Sequence, residues 1–168
     1  MFFNAVKLTY DASPQRLRDA IAAVITTVPH TETALSQWTV VPLKDTEPGG
    51  KCDNWTDTVA ATVGGEVVYN GRWVAKVEDS DLRGALLSIF MSIPFAQATR
   101  RGEREERRWA IAMSFVNNLS VLELIKTIEP GYITLPEGSL IDETFAGLLT
   151  EEVYDRLGER YTFTSEDA

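Results

Sequence analysis

The strongest structural signal in the chain is a helical repeat of apolar residues between Pro14 and Pro29. These residues recur at spacings of three and four, which places them on one face of a helix. Ser13 and Pro14 are typical of a helix start, and Pro29 ends the segment. Such a helix buries its apolar face against another layer, which the rest of the chain has to provide. The repeat consists of Leu17, Ala20, Ile21, Val24, Ile25 and Val28.

The sequence predicts an antiparallel sheet as this second layer. Residues 2–10 contain the alternation typical of a strand with one buried face, and residues 38–43 are rich in β-branched and aromatic side chains. Between Thr58 and Val77, three short runs are separated by Gly64-Gly65 and Asn70-Gly71, which suit tight hairpin turns. We therefore predict a β-meander over residues 58–77, joined in one sheet with the N-terminal strand.

The remaining segments favour helices. Acidic residues and a serine precede an apolar stripe after residue 78, which is typical of a helix start. Residues 103–118 fit both a helix and a strand, and the helix propensity of the preceding Glu/Arg run favours helix. Because no repeat or composition break marks a boundary, we predict a single α+β domain over residues 1–168 with a helical C-terminal third. The predicted helices cover residues 78–93, 103–118, 120–128 and 150–161, with a short piece near residues 139–142.

Composition restricts the class of protein. With 44% hydrophobic residues among 168, the chain can bury a core without metals or cross-links. Cys52 is the single cysteine, so no intrachain disulfide forms and we expect a reducing compartment. The sequence shows neither a secretory leader nor a membrane span, which predicts a cytoplasmic protein. His30 is the single histidine, and without a recognisable catalytic set or metal motif we expect a non-enzymatic protein with no cofactor.

Negative charge is concentrated in the last third of the chain. The formal net charge is -9, and residues 109–168 hold three basic and eleven acidic side chains, a net charge of -8. A fixed array of carboxylates presents charge much as phosphates do and speeds encounter with a basic surface. The leading hypothesis is therefore an acidic interaction protein, an inhibitor or nucleic-acid mimic, that occupies a basic surface of a partner protein. The predicted partner-binding residues are Glu137, Asp142, Glu143, Glu151, Glu152, Asp155 and Glu159, with Trp55 as a candidate aromatic anchor.

Two other functions stay open. Five arginines lie between residues 100 and 108, and guanidinium groups bind phosphate, so this cluster would serve as an anion-binding site for nucleic acid. The acidic whole disfavours that function. The other alternative is a small-ligand-binding domain, or an enzyme of unknown reaction, with a pocket built from residues 44–57 and the meander. A homodimer is compatible with the sequence, although no coiled-coil seam identifies a contact. The arginine cluster consists of Arg100, Arg101, Arg104, Arg107 and Arg108.

Overall fold

A computed structural model describes residues 12–42, 59–61 and 66–160 of the chain. The predicted N-terminal strand, Cys52, Trp55 and the predicted loop over residues 44–57 lie outside the described residues. The helices are α1 (Ser13–Thr27), α2 (Glu32–Leu35), α3 (Gly71–Lys76), α4 (Asp79–Met91), α5 (Gln97–Arg100), α6 (Glu106–Ile125) and α7 (Thr150–Arg160), with a 3-10 turn at Glu143–Phe145. The strands are β1 (Thr39–Pro42), β2 (Val59–Ala61) and β3 (Glu66–Tyr69). Of the helices described here, none combines the length and the apolar character that crossing a bilayer requires.

Helix α1 confirms the helix predicted from the apolar repeat. Leu17 and Val24 on its apolar face are fully buried. Ser13 does not act as the predicted cap, because the N-cap residue is Ala12, which makes no side-chain cap bond. The Ser13 hydroxyl is buried instead and donates to the carbonyl oxygen of Gly71 at 3.2 Å. The residue that resembled a local helix start is therefore used for a contact with a distant part of the chain.

The predicted antiparallel sheet with a β-meander is wrong. The described sheet has three short strands in the order β1-β3-β2, with β3 in the centre. β1 pairs with β3 in parallel, so that Val40 lies opposite Val67. β2 pairs with β3 in the antiparallel sense, but the segment that should have formed the third strand of the meander is helix α3. The fold is therefore mainly helical, with a small mixed sheet.

The difference from the predicted meander begins at Asn70-Gly71, a dipeptide that favours a hairpin turn but here starts a helix. Asn70 is the N-cap of α3, and its side-chain oxygen accepts hydrogen bonds from the backbone amides of Arg72 at 3.0 Å and Trp73 at 3.3 Å. Asn70 has a φ of -80° rather than the positive φ of a primed turn. Asparagine is favoured both in primed turns and at helix N-caps, so the dipeptide was compatible with two structures. Val74 lies in the helix that follows Asn70, and its side chain is fully buried there.

Arg16 holds α1 against the beginning of α4. Its guanidinium donates to the carbonyl oxygens of Val74 and Val77, the latter at 2.5 Å, and to a carboxylate oxygen of Asp79 at 2.7 Å. These acceptors lie at the end of α3 and the start of α4. One cation therefore satisfies backbone groups that a helix end leaves without partners.

Helix α6 is longer than the sequence predicted. The segment that we assigned to helix over residues 103–118 is helical from Glu106, and the separate helix predicted to start at Ser120 is part of the same helix. The Ser120 hydroxyl donates to the carbonyl oxygen of Val116, one turn earlier, instead of capping a new helix. With 20 residues, α6 spans about 30 Å at 1.5 Å per residue.

Two hydrophobic clusters form the described core, and α6 contributes to both. The larger cluster joins α1, β3 and α4 with Val121 from the C-terminal half of α6. The smaller cluster lies between the N-terminal half of α6, the 3-10 turn and α7. α6 thus connects the sheet-containing part of the fold to the acidic C-terminal part. The buried residues of the smaller cluster are Trp109, Ala112, Phe145, Val153, Tyr154 and Leu157.

Gly84 provides a test of the packing of α4. A Cβ atom at this position would lie 1.9 Å from the carbonyl oxygen of Thr134. Helix propensity alone predicts that Gly84→Ala stabilises the protein by about 1 kcal/mol, whereas overlap with backbone destabilises by about 1–3 kcal/mol or more. We expect thermal unfolding of Gly84→Ala at a lower temperature than wild type. As a propensity control, Ala110→Gly on an exposed position of α6 should cost about 1 kcal/mol, and an unchanged or raised melting temperature for Gly84→Ala would contradict the described packing.

Candidate interaction surface

The arginine cluster lies at the junction of α5 and α6 and faces α7. Arg100 binds Glu151 in the first turn of α7 through two hydrogen bonds. Its Nε donates to Oε1 of Glu151 at 2.9 Å, and its Nη2 donates to Oε2 of the same carboxylate. Its Nη1 donates to the carbonyl oxygen of Phe95 at 2.8 Å. This is the two-bond geometry in which arginine holds a carboxylate most strongly. The guanidinium of Arg100 is therefore occupied within the protein.

Two more arginines of the cluster stack on aromatic rings. The guanidinium carbon of Arg108 lies 3.6 Å from the ring centroid of Tyr154 in α7, and that of Arg104 lies 5.2 Å from the ring centroid of Trp109. Both distances are within the range of cation–π attraction. Arg108 also lies against Gly158, where a Cβ atom would come within 2.4 Å of its Nη1. A glycine at this point of α7 leaves room for the guanidinium.

The start of α6 is fixed to α7 by a further contact. Glu105 caps α6 by accepting from the backbone amides of Arg107 at 2.7 Å and Arg108 at 2.6 Å, and these hydrogen bonds lower the pKa of Glu105. The Glu105 backbone amide donates to the Tyr154 hydroxyl at 3.0 Å, so the residue that caps α6 also contacts α7.

The remaining two arginines of the cluster are more exposed. Arg107 lies at the surface, and the Arg101 side chain is 41% exposed and lies 3.6 Å from the carboxylate of Glu106. The cluster therefore serves mainly to hold α7 in place.

Apart from Glu151, which Arg100 holds, the predicted acidic residues whose side chains are described either cap a helix start or lie on the surface. Asp142 caps the 3-10 turn by accepting from the Thr144 amide at 2.9 Å, and Glu152 accepts from the Leu149 amide at 2.8 Å in front of α7. The 3-10 turn packs beside α7 through Phe145 and Val153, so these two caps belong to neighbouring elements. Others of the predicted set lie on the surface, while the Glu159 side chain and Trp55 lie outside the described residues. The surface acids are Glu137, Glu143 and Asp155.

Exposed apolar side chains form a feature that the sequence analysis missed. Four large hydrophobic residues are exposed among those whose burial is described: Leu149 at 58%, Ile93 at 46%, Ile141 at 44% and Leu140 at 39%. Three of them are separated from predicted acidic residues by one or two positions in the chain. Isolated exposed apolar residues are normal, whereas a contiguous apolar patch rimmed by polar residues is typical of an interaction site. The one signal in the sequence was a leucine directly before Thr150, where a polar cap is usual.

A buried polar network brings together the segments that carry these apolar residues. Asn118 of α6 donates to the carbonyl oxygen of Leu140 at 3.0 Å and accepts from the Ser88 hydroxyl of α4 at 2.7 Å. The neighbouring Asn117 accepts from the Gln97 side chain at 2.9 Å, and the same Gln97 nitrogen donates to the Thr150 hydroxyl at 3.0 Å. Gln97 and Thr150 are almost fully buried. The ends of α4 and α7 and the segment around residue 140 thus meet at two adjacent residues of α6.

A small cleft lies elsewhere, between α1 and α4. Its volume is about 120 Å³, and Arg16, Asp19, Ala20, Asp79 and Arg83 line it. Arg16 and Asp79 are already bonded to each other. Among the described residues, no group of three or more His, Cys, Asp or Glu side chains is arranged to hold a metal ion. His30 is exposed at the end of α1.

No protein-family model, curated protein or solved structure matches this chain. The fold and the surface chemistry described above are therefore the observations from which a function can be argued.

The contact between Arg100 and Glu151 predicts a pH dependence of stability. Burial raises the pKa of Glu151, but hydrogen bonds from Arg100 and its own amide, with the positive charges of Arg100 and Arg104, outweigh burial and bring the pKa below its usual value of 4.5. A carboxyl group with a lowered pKa stabilises the fold above its unfolded pKa, and this contribution is lost as the pH falls through the folded pKa.

We expect Glu151→Gln to lower the free energy of unfolding by about 1–3 kcal/mol at pH 7, with the difference from wild type shrinking below pH 4.5. Urea unfolding at pH 7 and pH 3.5 measures this change. Glu137→Gln, at an exposed position, is the control and should differ from wild type by less than about 0.5 kcal/mol at pH 7. An equal loss for Glu151→Gln at both pH values would show that the ion pair does not stabilise α7.

Proposed function

We propose that the protein is a non-enzymatic interaction protein that binds a partner with a basic surface through its acidic C-terminal part. The observation that carries this proposal is the different use of the two charges in this region. Arg100 contacts α7 through Glu151, and Arg104 and Arg108 contact it through the ring of Tyr154, at 5.9 and 3.6 Å from the ring centroid, whereas Glu143 and Asp155 are exposed at the surface. On the 3-10 turn and the part of α7 whose side chains are described, Glu143, Glu152 and Asp155 are exposed beside one exposed cation, Arg156, so carboxylates are the charge that these two elements mainly offer to a partner.

The net charge of -8 over residues 109–168 supports the same proposal. A surface of one sign attracts an oppositely charged partner over roughly a Debye length of about 8 Å at physiological salt, which raises the rate of encounter. An inhibitor or nucleic-acid mimic, which blocks a basic site, is the form of this function that a carboxylate array supports best. A sequence with one cysteine favours a reducing compartment such as the cytoplasm for this activity.

Direct nucleic-acid binding by the arginine cluster has less support. Phosphate binding needs guanidinium groups that are free to reach the backbone. Three of the five arginines instead contact α7, Arg100 by an ion pair with Glu151 and Arg104 and Arg108 through the ring of Tyr154. A partner that bound these three groups would have to displace α7 contacts first.

The proposal predicts salt-sensitive binding that depends on where the acids lie. The probe is a fluorescently labelled peptide with eight lysines separated by serines, and the measurement is fluorescence anisotropy at 50 and 300 mM NaCl. We expect the triple variant Glu137→Gln, Glu143→Gln, Asp155→Asn to bind about threefold to tenfold more weakly than wild type at 50 mM NaCl, because each exposed charge contributes roughly 0.2–1 kcal/mol.

The matched control is the triple variant Asp19→Asn, Glu32→Gln, Glu78→Gln, which removes the same number of exposed charges outside residues 109–168. It should weaken binding clearly less than the surface variant. Equal weakening by both variants would mean that the peptide responds to total charge alone. No binding at 50 mM NaCl would overturn the proposed function.

A further inference from the structure

Leu149 occupies a position where its side chain contributes little to the free protein. The Val153 amide donates to the Leu149 carbonyl oxygen at 3.1 Å, so Leu149 is the N-cap residue of α7. Serine, threonine, aspartate and asparagine are preferred there because their side chains accept from the first amides of the helix, which leucine cannot do. The side chain is also 58% exposed, the largest value among the exposed hydrophobic residues of the described chain. A bound partner would give this leucine a favourable environment.

Leu140, Ile141 and Ile93 lie on segments that the network at Asn117 and Asn118 ties to the same region. The Asn118 amide holds the Leu140 carbonyl oxygen at 3.0 Å. Gln97 joins Asn117 to Thr150, the residue after Leu149. Ile93 lies just beyond the C-terminal end of α4, four residues before Gln97. The network bonds the backbone of Leu140 directly and holds Thr150 next to Leu149, and a backbone held in this way lowers the ordering cost of binding.

Acidic residues flank the apolar ones. Glu143, two residues after Ile141, and Glu152, three residues after Leu149, are exposed, whereas Arg100 holds the Glu151 carboxylate. A partner that covers the apolar side chains therefore meets carboxylates around them. This favours apolar anchors flanked by lysine or arginine, and it disfavours a second copy of this surface because like charges would face each other.

We propose that Ile93, Leu140, Ile141 and Leu149 form the apolar anchor of the interface, and that its occupant is an amphipathic basic helix of a partner protein. The inference rests on the proposed function and adds the kind of partner that the surface selects. Apolar anchors in the centre with charges around them are the usual arrangement of a protein interface. An amphipathic helix presents apolar residues on one face and basic residues beside them.

The test compares two labelled peptides with the same number of lysines. One carries leucines at helical spacing on one face, and the other has serine in place of each leucine. We expect wild type to bind the leucine peptide at least tenfold more tightly at 300 mM NaCl, where charge attraction is screened. Leu149→Ser should lose at least fivefold in affinity for the leucine peptide and leave binding of the serine peptide unchanged.

Stability measurements separate a binding role from a structural one. Serine is a good N-cap residue, so Leu149→Ser should raise the melting temperature by about 2–4 °C while it weakens peptide binding. Leu149→Met keeps the apolar surface and should retain the affinity for the leucine peptide. If Leu149→Ser lowers the melting temperature by several degrees, the leucine is covered by the chain itself and the inference is overturned.

The outcomes distinguish this inference from the function on which it rests. Equal affinity for both peptides, with no effect of Leu149→Ser, would overturn the apolar anchor and leave the acidic interaction protein standing. Failure of both peptides to bind at 50 mM NaCl would overturn both. Tight binding of the leucine peptide that Leu149→Ser and Ile141→Ser do not weaken would place the apolar contact on another surface and overturn the assignment of these residues.

Discussion

The position of α6 between two hydrophobic clusters is the constraint on which the rest of the described structure depends. Its C-terminal half packs Val121 into the cluster that holds α1, α4 and the sheet. Its N-terminal half packs Trp109 and Ala112 against α7 and the 3-10 turn. A helix of about 30 Å can reach both clusters without a break, so the acidic C-terminal elements are held at a fixed place relative to α4. Without this helix, the candidate surface would have no common support.

Polar contacts, in addition to hydrophobic packing, connect α6 to its neighbouring elements. Asn117 and Asn118 are buried. Asn118 accepts from Ser88 of α4, and Asn117 accepts from Gln97, which also donates to Thr150 of α7. Buried polar groups destabilise a fold when they lack partners, and they specify one arrangement when most partners are present. The arginines at the start of α6 act in the same direction, since Arg100 and Arg108 both contact α7. These arginines, which the sequence suggested as an anion-binding site, therefore help to define the fold.

Several elements could be predicted because their signals are local. The apolar repeat of α1 and the acidic start of α4 depend on residues within a few positions of each other, and both helices are present. The patterns at Asn70-Gly71 and at Ser120 lead to wrong predictions because each suits two structures. Asn70 caps α3 instead of turning a hairpin, and Ser120 lies inside α6 instead of starting a helix. Contacts beyond these local patterns decide between the alternatives, since Val74 of α3 is fully buried and α6 continues unbroken through Ser120.

By itself, the sequence determined the charge of this protein, its single cysteine and the helices whose apolar repeats and caps lie close together in the chain. Only the tertiary structure decided which charged and apolar side chains make contacts inside the protein and which stay exposed. Arg100 pairs with Glu151 because α5 and α7 lie side by side, although the two residues are 51 positions apart in the sequence. The exposure of Leu149 likewise depends on what packs around α7. The physical reason is that burial and ion pairing are properties of neighbours in space, which a pattern along the chain does not contain.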